Sequence, residues 1–102
     1  MLYEKTFQDP ETGLDICASW HAGRLTIYVD EESIIDWADD APAFGLACRR
    51  VHDALAKTMC EVFGVNSQRI ELVGGHVQRV TLKKATEIVR ELAGDQWNYG
   101  WD

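Results

Sequence analysis

Two cysteine–histidine pairs share one spacing, Cys17-x3-His21 and Cys48-x3-His52, and thiolate with imidazole is a zinc ligand set. Local structure separates the two pairs. On a strand, residues four apart point the same way but stand ~13 Å from each other, so Cys17 and His21 cannot share an ion. On a helix they are one turn apart, and Cys48 with His52 could. A closed zinc site needs further ligands, usually from tight C-x2-C units, and the chain contains none. Cys48 is therefore expected in the core with His52 at its border, and no metal or cofactor is expected.

Nucleophilic catalysis finds less. No serine sits in a G-x-S-x-G elbow, and no cysteine carries a local signature with a histidine. Asp36 with Asp39, or Asp39 with Asp40, would suit acid–base work only if one were desolvated, and their surroundings are strongly charged. Gly74-Gly75 lacks the G-x-x-x-x-G-K-[ST] phosphate frame and reads as a hairpin turn. A non-enzymatic protein is expected.

Binding chemistry is better represented. Asp30, Glu31, Glu32, Asp36, Asp39 and Asp40 place six carboxylates in eleven residues, with Ile34, Ile35 and Trp37 among them. Carboxylates strung along a loop imitate a row of phosphates and suit an Arg/Lys groove on another protein, while the apolar residues supply anchors. At the C-terminus, Trp97, Tyr99 and Trp101 are amphipathic aromatics of the kind that either latch a terminus or make a contact. Trp97 is read as a latch; Tyr99 and Trp101 are read as contacts.

The elements that must position these groups follow from periodicity. Residues 2–8 form a first strand that stops at Asp9-Pro10-Glu11-Thr12-Gly13, a turn-rich loop. Leu14, Ile16, Ala18 and Trp20 alternate with Asp15, Cys17, Ser19 and His21; after the Ala22-Gly23 turn, Leu25, Ile27 and Val29 alternate with Thr26, Tyr28 and Asp30. The result is an antiparallel meander with one apolar face and one mixed face. Residues 31–41 fit neither period and read as an acidic surface loop.

Pro42 opens a helix whose positions Phe44, Ala47, Val51, Leu55, Thr58 and Val62 keep helical spacing up to Gly64. Arg49, Asp53, Lys57 and Glu61 line its other face, which reads as solvated. Ile70–Val73 and His76–Thr81 read as a second hairpin around Gly74-Gly75. Thr81 caps a last helix through Leu82, Ala85, Ile88, Val89 and Leu92, ending at Gly94. The expected fold is α+β: an antiparallel sheet of about five strands with two helices on one face, in the order βββαββα. Residues 1–94 form the single domain and 95–102 a tail.

Composition agrees. At 102 residues, 46% apolar and 26% charged, the chain suits one globular domain. Its charge of −7 argues against direct nucleic-acid binding. That charge is segregated: ten acids against two bases up to residue 40, five against eight over 41–93, and two against none thereafter. No apolar run approaches a membrane span, no secretory leader is visible at Met1-Leu2-Tyr3-Glu4-Lys5, and three cysteines suit a reducing cytoplasm.

Two resemblances add to this reading. From Ala41 to Leu82, the segments Ala41-Pro42-Ala43-Phe44-Gly45, Gly64-Val65-Asn66-Ser67-Gln68-Arg69-Ile70 and Gly75-His76 are similar to the YggU-like family of bacterial proteins of unknown function. The chain departs from that family at Gly45-Leu46-Ala47-Cys48, where the family has an Asn, and at Val77-Gln78-Arg79-Val80, where it has a basic run. In type, a short acidic domain with few motifs and an aromatic tail resembles the anti-CRISPR and anti-restriction inhibitors of phages and mobile elements. That resemblance implies a nucleic-acid mimic or groove plug acting in the cytoplasm, that of the host cell if phage-encoded. The partner expected is a protein with a basic groove, bound by a monomer or homodimer through the Asp30–Asp40 stretch and the tail. The alternatives are a homo-oligomeric scaffold using the mixed sheet face around Tyr28, and a small enzyme or metal protein using the histidines and cysteines.

Overall fold

The computed structural model describes residues 1–30, 41–63 and 74–101. Strand β1 (Leu2–Gln8), β2 (Asp15–His21) and β3 (Arg24–Val29) form the meander that the alternation predicts. Helix α1 (Ala41–Phe63), strand β4 (Gly74–Val77), helix α2 (Leu82–Ala93) and a 3-10 turn (Gly94–Gln96) follow. All neighbours in the sheet order β1-β2-β3-β4 are antiparallel.

The protein is therefore α+β with an antiparallel sheet and two helices, as expected, but the described sheet has four strands and the order is βββαβα. Gly74-Gly75 is not a hairpin turn. It opens β4 and pairs with Tyr28 and Ile27 of β3. The apolar edge of β3 offers a ready ladder partner. Helix α1 packs against both β3 and β4. The expected strand Ile70–Val73 lies outside the described residues, and the return strand ends at Val77 rather than Thr81.

Register explains which face is buried. Phe7, Ile16, Ala18, Leu25, Ile27, Val29 and Val77 share the helix side and are all buried, whereas their alternates on β1–β4 are partly or fully exposed. Each fully buried Leu or Ile contributes about 1.5–3 kcal/mol, so this single-sided burial fixes the register against a one-residue slip. From above, α1 adds Ala47, Cys48, Val51 and Leu55, and α2 adds Ala85, Ile88, Val89 and Leu92. Thr58 is also buried, its hydroxyl satisfied by the Ala54 carbonyl at 2.7 Å.

The connections obey local chemistry. Ala22 and Gly23 both have positive φ, 50° and 83°, as a two-residue hairpin twisted with its strands requires. Helix α2 begins where the Thr81 hydroxyl accepts the Lys84 N–H at 3.2 Å, a cap that contributes about 1 kcal/mol. In the first loop Asp9 accepts the Thr12 hydroxyl at 2.6 Å, and its backbone closes the turn with Gly13 and Leu14.

Candidate protein-binding surface

The mixed face of the sheet has no described element packed against it, and the ladder places its groups in rows. Thr6, Cys17 and Tyr28 are cross-strand neighbours, as are Glu4, Ser19, Thr26 and His76. The Thr6 hydroxyl donates to the Cys17 Sγ at 3.7 Å. Tyr28 is 47% exposed. Its hydrogen bond with Cys17 raises its pKa above the ordinary 10.0, and the carboxylates of Asp30 and Glu4 push the same way, so the phenol stays neutral and able to donate.

The two ends of this face differ in charge. At one end Arg24 lies beside His21 in the ladder, and its guanidinium donates to the His76 Nδ1 at 3.1 Å. At the other, the Asp30 N–H donates to the Asp15 carbonyl at 2.9 Å, which brings two carboxylate-bearing residues together where β3 ends. Of the residues expected to contact a partner, Asp30 is thus located: half-buried, at the acidic end of the sheet. Glu31, Glu32, Asp36, Trp37, Asp39 and Asp40 lie outside the described residues.

The tail divides. Tyr99 is 89% exposed. Trp97 and Trp101 fold back as a latch, with ring centroids 5.5 Å apart. Trp101 meets Tyr3 edge-on at 6.1 Å and donates its indole N–H to the Thr86 hydroxyl at 2.8 Å. Trp97 sits over the buried Lys5, the ammonium 6.0 Å from its ring. A contact role expected for Trp101 thus meets a side chain already engaged with Tyr3 and Thr86. The indole N–H is the reason: α2 offers it an acceptor that a purely apolar ring would not need.

The remaining chemistry-bearing residues stay apart. Cys17 and His21 occupy one strand; Cys48 is buried, while His52 is half-buried at the edge of the core. Among the described residues no three His, Cys, Asp or Glu side chains are grouped to hold a metal ion. No described helix is long and apolar enough to cross a membrane.

A groove of about 340 Å³ runs between α1 and α2, with Ala54, Ile88 and Leu92 among its lining. Its rim carries interhelical ion pairs, Lys57–Glu91 at 3.9 Å and Lys84–Glu61 in direct contact. The face of α1 read as a solvated ladder is therefore partly a clamp: Arg49–Asp53 stays out in solvent, while Lys57 and Glu61 turn to α2.

Lys84 holds the Glu61 carboxyl below its ordinary 4.5, and Glu61 holds the Lys84 ammonium above its ordinary 10.5. A lowered carboxyl stabilises the fold above its unfolded pKa and loses that contribution as pH falls through the folded value. A raised ammonium does the reverse at high pH. The clamp is thus complete between those limits and fails beyond either. In urea midpoints measured against pH, Glu61→Gln should lose less stability than wild type below about pH 4.5. Parallel curves would exclude the clamp.

Compared with protein-family models, curated proteins and solved structures, the chain matches none of them.

Proposed function

We propose that this protein is a non-enzymatic inhibitor or adaptor that binds another protein through its acidic end. The observation that carries the reading is the segregation of charge along the sheet. Asp15 and Asp30 adjoin where β3 ends, and the five further carboxylates of residues 31–40 follow directly in the sequence. Trp37 supplies an aromatic anchor within that segment. The partner is a protein with a basic groove suited to nucleic acid, in the manner of anti-CRISPR and anti-restriction inhibitors, and the site of action is the cytoplasm. Tyr99 serves as an auxiliary contact. Trp101 acts by holding the tail in place beside it.

The test is a triple charge reversal, Asp36→Lys, Asp39→Lys and Asp40→Lys, which shifts the net charge from −7 by six units to −1. Partners are first captured from the source cell and identified by mass spectrometry. The triple variant should then bind the captured partner at least about a hundredfold more weakly, chiefly through a slower association rate, with an unchanged far-UV spectrum. Full affinity in the variant would remove the acidic segment as the contact.

A further inference from the structure

We infer that the mixed sheet face, against which no described element packs, is a homodimer interface, and that its occupant is the same face of a second copy, related by a two-fold axis lying across the strands. The inference is argued from β1–β4 and from Asp30, which directly follows β3, and takes no observation from residues 31–40. Its basis is self-complementarity. In the ladder, His21 and Arg24 form one end row of the face, and Asp15 and Asp30 the opposite end row. Between them lie the Glu4–Ser19–Thr26–His76 row and the Thr6–Cys17–Tyr28 row.

A two-fold axis across the strands, midway between the two inner rows, lays each strand over its own counterpart and reverses the order of the rows. Arg24 then faces Asp30 of the second copy, His21 faces Asp15, and Glu4 faces the Thr6 hydroxyl. Arg24 and Asp30 thus meet twice, once in each direction, as an isologous contact demands. A two-fold axis along the strands instead sets Arg24 against His21 and Asp15 against Asp30. Charge therefore selects one geometry of the two.

The middle of the face suits close approach. Cys17, Ser19 and Thr26 are small and half-buried, and Tyr28 rises from among them as the one large exposed ring. Its hydroxyl, hydrogen-bonded with Cys17, keeps lone pairs that can accept across the axis. Packed sheets keep their strands within about 30° of each other, which spreads the outer strands but leaves the charged ends on β2 and β3 close to register. Strands ~4.8 Å apart with a rise of ~3.3 Å per residue give a projected area of about 350 Å². Two such faces bury about 700 Å² in projection and more once side-chain relief is counted, the low end for a specific interface, so a weak, dissociable dimer is expected.

The experiment is sedimentation of the full chain at about 0.15 M salt over a wide concentration range, with three variants. Arg24→Asp and Asp30→Arg each break both copies of one charge pair. At roughly tenfold per pair, each should weaken dimerisation about a hundredfold. The combined variant Arg24→Asp/Asp30→Arg restores opposite charges across the axis and should recover the dimer. Amide resonances of Cys17, Ser19, Thr26 and Tyr28 in the wild-type chain should shift on dilution, a readout that needs no variant. The inference is overturned by a chain that stays monomeric at millimolar concentration. It is equally overturned by single reversals that leave the dimer intact, or by a combined variant no better than either single one. Asp30→Arg bears on both contacts because Asp30 belongs to each, whereas Arg24→Asp and the dilution shifts report on this interface alone, so the two contacts fail separately.

Discussion

Replacing Arg50 by alanine is expected to destabilise the fold by about 3–5 kcal/mol, among the largest effects of any single surface-adjacent change. Arg50 projects from α1 to the first loop, where its guanidinium contacts the Asp9 carboxylate directly and reaches Glu11 at 3.6 Å. The Asp9 side chain has no solvent exposure at all. Its other oxygen accepts the Thr12 hydroxyl, so the arginine is the counter-charge of a carboxylate already shut away from water. Truncation leaves that charge buried and uncompensated, which costs far more than the pair contributes while intact. For a domain of this size the melting temperature should fall by some 12–30 °C. The double variant Arg50→Met/Asp9→Asn removes both charges and keeps an acceptor for Thr12. It should recover most of the loss, and that recovery distinguishes a buried-charge penalty from simple loss of packing. A urea midpoint for Arg50→Ala within about 1 kcal/mol of wild type would refute the account.

That pair was not legible in the sequence. Asp9 reads as an ordinary turn residue beside Pro10, and Arg50 falls between the apolar stripe and the charged ladder of α1, matching neither pattern. Only the docking of the first loop against the helix brings them together, 41 positions apart in the chain. What could be read was whatever obeyed a local period. The alternation of Ile16, Ala18 and Trp20 and of Leu25, Ile27 and Val29 specified the meander and its buried face. The Thr81 cap and the apolar spacing of α2 were equally plain. The second hairpin failed because two adjacent glycines are compatible both with a tight turn and with a strand passing under a helix. Which outcome holds depends on the partner strand, and β3 is remote in sequence. For the candidate surface, alternation marked Cys17, Ser19, Thr26 and Tyr28 as sharing a mixed face. The contact of Arg24 with His76 spans 52 positions and needed the sheet to form. Asp30 was located, whereas the acidic residues after it lie outside the described part of the chain.

Trp101→Ala is expected to cost about 2–3 kcal/mol, roughly half to two-thirds of the penalty for deleting a fully buried tryptophan, because the ring is only half-buried. The loss has separable parts. The indole makes an edge-on contact with Tyr3 and another with Trp97, each worth about 0.5–1.5 kcal/mol beyond area alone. Its N–H bond to Thr86 contributes about 1 kcal/mol more. Trp101→Phe keeps a ring beside Tyr3 and forfeits the hydrogen bond, so it should recover more than half of the alanine loss. The Thr86 hydroxyl already donates to the Leu82 carbonyl at 2.7 Å, so losing the indole donor leaves no unmet donor on α2. Tyr99→Ala, two residues away and almost fully exposed, should change stability by less than about 0.5 kcal/mol. The contrast matters for function as well as folding. Trp101 covers Tyr3, whose ring in turn meets Trp20 at 5.9 Å, so opening the latch bares a contiguous aromatic patch on the helix side of β1. Such a patch promotes self-association that ignores the charge pattern of the opposite face. Trp101→Ala should therefore aggregate on warming, whereas Tyr99→Ala should melt as a clean two-state transition. Equal melting behaviour of the two would show that the tail contributes nothing to the core.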